Sequence, residues 1–191
     1  MKKWQESGVF AAVMSLALAA CGTEPSDTGA GNAAEQTDAT LAEAIGDNGS
    51  LSVASGAFER TGLGGVLEGE ASYTVLAPSD AAFDALGEDA ANALNSAENG
   101  AILAAILREH MIPGTFTPDD IRKAISDKGE VSMGSLGESD LSFRLDGNAI
   151  VVTNGTGQSA QLGDNAVTAS NGVIIPIDAV LADPDALRPG A

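Results

Sequence analysis

The chain has one histidine, one cysteine, one tyrosine and one tryptophan, and aromatic residues make up 4% of it. Each scarcity excludes something. A single His110 leaves no set of histidines on which to build a metal centre or a catalytic cluster. A single Cys21 allows no internal disulfide. Basic residues number 9 against 27 acidic ones, a formal net charge of −18. The few cations are scattered, which argues against nucleic acid as a partner. It also argues against direct attraction to anionic lipid, so such surfaces would need divalent or cationic bridges. No Gly-x-Ser-x-Gly nucleophile elbow is present. Neither Lys123 nor Lys128 follows a glycine, so there is no P-loop. Gly62-Leu-Gly64-Gly65 lacks the third glycine of a dinucleotide fingerprint. Asp183 and Asp185 flank Pro184 without a calcium-loop pattern. The sequence therefore predicts a non-enzyme with no cofactor and no metal.

What is present begins at the N-terminus. Lys2 and Lys3 precede an apolar run from Gly8 to Ala20 that is too short to span a bilayer. Residues 1–20 read as a signal peptide. It ends in Leu18-Ala19-Ala20-Cys21, similar to a bacterial lipobox, in which the cysteine becomes the lipidated N-terminus. Loss of Lys2, Lys3 and Glu6 would leave the chain one unit more acidic. More than one acyl chain, as the lipobox resemblance implies, makes attachment lasting. Gly22 follows the cysteine where an aspartate would favour inner-membrane retention. The expected address is thus the cell envelope, at the outer membrane if the source is Gram-negative. Residues 21–39 lack any aliphatic side chain larger than alanine apart from Pro25, and read as a flexible tether.

A single domain is expected over 40–184, with 185–191 as a tail. Thr40-Leu-Ala-Glu43 is a capping box. Helices are predicted over Leu51–Thr61, Ala90–Leu94, Asn99–Arg108 and from Thr117-Pro118-Asp119-Asp120 onward. In the third of these, Asn99 is the expected cap, and Ile102, Leu103, Ile106 and Leu107 form one apolar stripe. Strands are predicted at Thr74–Leu76, Val131–Met133, Leu141–Leu145, Ile150–Thr153 and Val173–Ile175. Pro78 should stop the first, and Ser79 or Asp80 should cap a short helix carrying Phe83. Pro176 should end the last strand or meet a sheet edge. Asp146-Gly147 and Asn154-Gly155 are turn signals. The sequons at Asn48 and Asn154 read as turns too. Helices early and strands late point to an α+β fold with a mainly antiparallel sheet.

Three segments carry a family resemblance. They are Tyr73-Thr-Val-Leu-Ala-Pro-Ser-Asp-Ala-Ala-Phe83, Ile106-Leu-Arg-Glu-His-Met-Ile-Pro-Gly114 and Ala169-Ser-Asn-Gly-Val-Ile-Ile-Pro-Ile-Asp-Ala-Val-Leu181. In this order and spacing they resemble the signature segments of the fasciclin domain. The resemblance implies a wedge-shaped antiparallel β-sandwich with several short helices packed on it. It assigns structural roles to Thr74, Pro78, Asp80, Phe83, Asn171, Gly172 and Asp178. It makes His110, Met111, Ile112 and Pro113 the candidate binding segment, with His110 either fixing a helix-to-strand corner or joining a contact surface. Glu109 stands where the family carries tyrosine, Ala166 where some animal members carry an aspartate, and Ile175 where many carry histidine, so integrin binding is not expected. The resemblance implies adhesion, or interaction with a matrix or protein partner. A second implied reading is carriage of a small apolar ligand such as a carotenoid or lipid, for which Met111, Met133, Phe116 and Phe143 are candidate lining residues.

Overall fold

The computed structural model describes residues 34–96 and 99–182. Cys21, the residues expected to form the signal peptide, those at 21–33 and those at 183–191 lie outside the described residues. Seven helices and nine strands are described in the order β1 (Glu35–Gln36), α1 (Leu41–Asp47), α2 (Ser52–Arg60), α3 (Gly64–Leu67), β2 (Tyr73–Pro78), α4 (Asp80–Asp84), α5 (Glu88–Asn95), α6 (Gly100–Glu109), β3 (Met111–Pro113), α7 (Pro118–Lys128), β4 (Glu130–Gly134), β5 (Asp140–Asp146), β6 (Ala149–Thr153), β7 (Ser159–Gln161), β8 (Val167–Ala169) and β9 (Gly172–Ile177).

The strands form two sheets. One has the order β1-β8-β9-β2-β3 and the other β4-β5-β6-β7. The second is antiparallel throughout. The first is mixed, because β9 pairs in parallel with β2 along six residues and β1 pairs in parallel with β8. The late arrival of β9 beside the early β2 explains this. Nearly a hundred residues of connection separate the two strands, so no hairpin constrains their direction.

The five-stranded sheet is a middle layer, and its strands alternate between two cores. Val75, Ala77 and Ile174 join a cluster with Leu41, Ile45, Leu51, Phe58, Leu103 and Leu107 from the helices. Leu76, Val173, Ile175 and Ile177 face the other way, onto Leu141, Phe143, Ile150 and Val152 of the second sheet and Ile121 and Ile125 of α7. A strand buried on both faces must be apolar at every position, which is why Val173–Ile175 reads as an unbroken run. The outer sheet has one core face, so β5 alternates buried Leu141 and Phe143 with exposed Asp140 and Arg144.

Local signals set the helix starts. Thr40 and Glu43 exchange the reciprocal hydrogen bonds of a capping box, as do Thr117 and Asp120, with Pro118 in the first turn. Those bonds hold the Asp120 carboxyl below its ordinary range. Ser79 caps α4 by accepting from the Ala82 N–H. Asn99 departs from expectation. Its side chain makes no cap bond, and its Nδ2 instead donates to the Ala93 carbonyl of α5 at 2.8 Å. Within the predicted stripe of α6, Leu103 and Leu107 are buried, but Ile102 is 44% exposed.

Residues 34–39, expected from composition to belong to the tether, instead pair with the sheet. Ala166 O accepts from Glu35 N–H, Thr168 O from Thr37 N–H and Ala39 O from Ser170 N–H, so residues 34–39 lie along β8. Both side chains of β1 are exposed. Main-chain pairing, with only the small Ala34 and Ala39 packed against the cores, holds this stretch, which a composition argument cannot detect.

Thr74 is fully buried and joins two turns. Its Oγ1 donates to Gly114 O and accepts from Phe116 N–H, both at 2.8 Å. Thr74→Val keeps the shape and leaves that N–H and C=O unpaired. We expect a loss of about 2 kcal/mol, read as a lower urea midpoint at unchanged m-value.

Candidate functional site

The signature residues prove to be cross-links. Asp80 sits at the start of α4, yet its carboxylate caps α2. Val53 N–H donates to Oδ1 at 2.9 Å, Ser52 Oγ to Oδ2 at 2.7 Å, and the α2 cap residue Leu51 supplies no side-chain bond of its own. Desolvation is the largest single influence on this carboxyl and raises its pKa. The bonds from Val53 and Ser52 together outweigh it and hold the group below its ordinary value. Asn171 Oδ1 accepts from Leu41 N–H at the start of α1, and its Nδ2 donates to Leu67 O and Gly69 O, each at 2.8 Å. Gly172 lies against the Tyr73 carbonyl of the neighbouring strand. Asp178 Oδ1 accepts from Gln161 N–H, joining the end of β9 to β7. Pro78 closes β2, and Phe83 packs into the helical core. Pro176 lies past the last β8 pair, so its missing N–H leaves no rung broken on that side.

The segment expected to bind a partner is mostly interior. His110, Met111 and Ile112 are buried, and Pro113 alone of the four is exposed. His110 Nδ1 lies 2.8 Å from Ile106 O, and Leu181 N–H donates to Nε2 at 3.0 Å. An N–H donor at Nε2 requires a lone pair there, so Nδ1 carries the proton and donates to Ile106, and the ring is neutral. Burial pushes its pKa down to about 4, against smaller opposing effects of the Ile106 bond and the Glu109 charge. A ring with both nitrogens engaged inside the fold is not a contact surface. His110 instead fixes the corner between α6 and β3 and ties it to the chain after β9. Of the suggested ligand-lining residues, Met111 and Phe143 are core, while Phe116 and Met133 are half-buried against the second core.

The recess lies on the outside of this corner. A groove of about 510 Å³ runs between α6, the β4–β5 turn, the Asn154–Thr156 turn and the segment at Leu181–Ala182. Its size falls in the range of small-molecule sites. Ile102, Ile106, Leu136 and Leu181 supply apolar wall, and Arg108, Glu109 and Glu138 supply charge. Ile102 is the large hydrophobic residue left exposed among the described residues. Asn154 shapes one wall. Its Oδ1 accepts from the N–H groups of Thr156 and Gln158, and its Nδ2 donates to Leu181 O.

Glu109 is the polar centre of this groove. Its Oε1 accepts from Glu138 N–H at 3.1 Å, and its Oε2 is buried without a hydrogen-bond partner. Gly137 packs so tightly on it that an added Cβ would stand 2.6 Å from Oε1. Sequence reasoning marked Glu109 as a departure from the family's tyrosine, but gave it no role. The exposed Ile102 was the other available signal, hidden because its helical spacing matched the core stripe.

The sequence model of the fasciclin domain matches residues 49–183. The chain belongs to the fasciclin family. Protein sll1483 of Synechocystis sp. is 30% identical over 178 residues, covering 93% of this chain and 92% of that protein. The FAS1 domain pair of the insect cell adhesion molecule Fasciclin I superimposes with a TM-score of 0.68 at 18% identity, across 78% of this chain and 52% of the pair. The chain thus spans about half of that two-domain structure. The α+β architecture with sandwiched sheets is that of the fasciclin fold, and the family supports a generally non-enzymatic, interaction-type role.

Proposed function

We propose that this protein is a lipid-anchored fasciclin domain of the bacterial cell envelope, displayed for adhesion or for contact with a matrix or protein partner. The observation that carries the interaction role is the match to the fasciclin domain over 135 residues, 49–183. The lipobox-like Leu18-Ala19-Ala20-Cys21 carries the anchoring. The acidic surface then favours partners that are cationic or bridged by divalent cations. The test is acylation of the full chain expressed in a bacterial host. The wild type should incorporate labelled palmitate and partition into the detergent phase. Cys21→Ser should do neither while keeping the fold. Equal labelling of the two would sink the anchor.

A second reading, carriage of a small ligand, is favoured by one observation. The groove beside α6 joins Ile102, Ile106, Leu136 and Leu181 in one apolar wall around about 510 Å³, a volume in the range of small-molecule sites.

A further inference from the structure

We propose that the groove beside α6 takes a small amphipathic cation, whose apolar body lies on Ile102 and Ile106 and whose primary ammonium head is held by Glu109. The inference rests on the carrier reading and specifies its ligand class.

Two independent features converge there. The first is the exposed apolar wall on α6 and its continuation through Leu136 and Leu181. The second is the Glu109 carboxylate. One of its oxygens is satisfied by Glu138 N–H and the other is buried with no donor. A buried carboxylate oxygen without a donor is costly, and an N–H of a cation is the partner that relieves it best. Arg108 does not meet this need. It lines the same groove, but it is exposed and forms no ion pair among the described residues. Glu138, exposed at the rim, adds a second negative charge, so the two carboxylates outnumber Arg108 in the groove and favour a cation over an anion. For the head group to reach the buried Oε2 the Gly137-Glu138 turn must shift, against the bonds of Glu138 N–H to Glu109, Gly137 N–H to Ser135 Oγ and Leu136 N–H to Met111 O. A neutral apolar ligand would fill the wall and leave Oε2 unpaired.

The test uses the full chain in zwitterionic nanodiscs at roughly 0.15 M salt, where surface charge is screened beyond about 8 Å. Four probes share a phenylbutyl body. They carry a primary ammonium, a trimethylammonium, a hydroxyl and a carboxylate. Binding is read from the methyl NMR signals of Ile102, Ile106, Leu136 and Leu181, with empty nanodiscs as blank. The primary ammonium should bind about ten- to a hundredfold more tightly than the alcohol, the span of one charge-assisted hydrogen bond. The trimethylammonium has the charge but no N–H, and should be weaker than the primary amine. Glu109→Gln should bring the amine to the level of the alcohol, and Glu138→Gln should change the preference little. Equal binding of alcohol and amine at these methyls would overturn the head-group assignment and leave the carrier reading standing. Equal binding of the two ammonium probes would overturn the hydrogen bond to Glu109, without needing any variant to fold. Amine shifts spread over the acidic surface, with the four methyls unmoved, would also overturn it. No binding by any probe at these four methyls would overturn both readings for this groove.

Discussion

Gly172→Ala should unfold much of the protein, with a loss greater than about 4 kcal/mol in a domain whose whole stability is of order 5–15 kcal/mol. The reason is proximity rather than backbone conformation, since Gly172 lacks the positive φ that favours glycine. A Cβ there would fall onto the Tyr73 carbonyl and would stand 2.7 Å from Leu41 Cδ1. The carbonyl cannot yield, because it belongs to β2 where β2 pairs with β9 along six residues. Moving β9 away would open the middle layer and both cores with it. Urea unfolding followed by far-UV circular dichroism measures the loss. Gly65→Ala is the matched control. It lies in α3 with nothing within 4 Å of a new Cβ. It should be neutral or gain a few tenths of a kcal/mol, because alanine loses less entropy in a helix. Similar losses from both substitutions would show that the contact with Tyr73 is not the cause.

His110→Ala should cost about 4 kcal/mol, since it leaves the Leu181 N–H and the Ile106 carbonyl unpaired around a cavity. Its sharper signature is pH dependence. The folded pKa of about 4 lies below the ordinary 6.5. Between these values the unfolded chain binds a proton that the folded ring refuses. The stability contributed by the neutral ring is therefore complete above pH 6.5 and is lost as pH falls towards 4. The wild type should lose about 2 kcal/mol between pH 7.5 and 5. Since His110 is the only histidine, that slope should vanish in His110→Ala. The other groups with shifted pKa values, and the neighbouring Glu109, act outside this window or against it. Glu109 stabilises the charged ring and only softens the slope. Glu43, Asp80 and Asp120 have depressed pKa values starting from 4.5, 3.8 and 3.8, so their contributions are lost at lower pH. Relief of repulsion in so acidic a chain runs in the opposite direction. A wild-type curve that is flat from pH 7.5 to 5 would refute the neutral buried ring.

The sequence disclosed the parts of the fold that follow local rules. Thr40 with Glu43, and Thr117 with Asp120, are capping boxes because side chain and backbone meet within three residues. Val173–Ile175 is apolar throughout because the strand is buried on both sides. The turn signal at Asp146-Gly147 was one residue early. Asp146 still pairs with Ala149, and the loop is Gly147-Asn148 with Gly147 at φ 60°. Strands of three residues, β7 and β8, are too short for a period to show. The four-residue α3 was hidden among the glycines at 62–65. The parallel union of β2 and β9 joins segments whose separation no local pattern spans. The site was less legible still. The segment at 110–113 drew attention by resemblance, whereas burial gives it a structural role. Glu109 is singled out by what surrounds it, a loop that arrives from 28 residues later, and that neighbourhood is not written near position 109.

The short pairing of β1 with β8 bears on how the domain meets mechanical force. A pull transmitted along the chain from the N-terminal side reaches the described residues at 34. It acts first on the backbone hydrogen bonds that hold 34–39 along the sheet. Both side chains of β1 are exposed, so detaching it opens little apolar surface. Six freed residues lengthen the extended chain by up to about 20 Å. The next point of resistance is the capping box at Thr40 and the bond from Leu41 N–H to Asn171. Slack is thus available ahead of either core, and the helical layer begins to bear tension only after it has been drawn out.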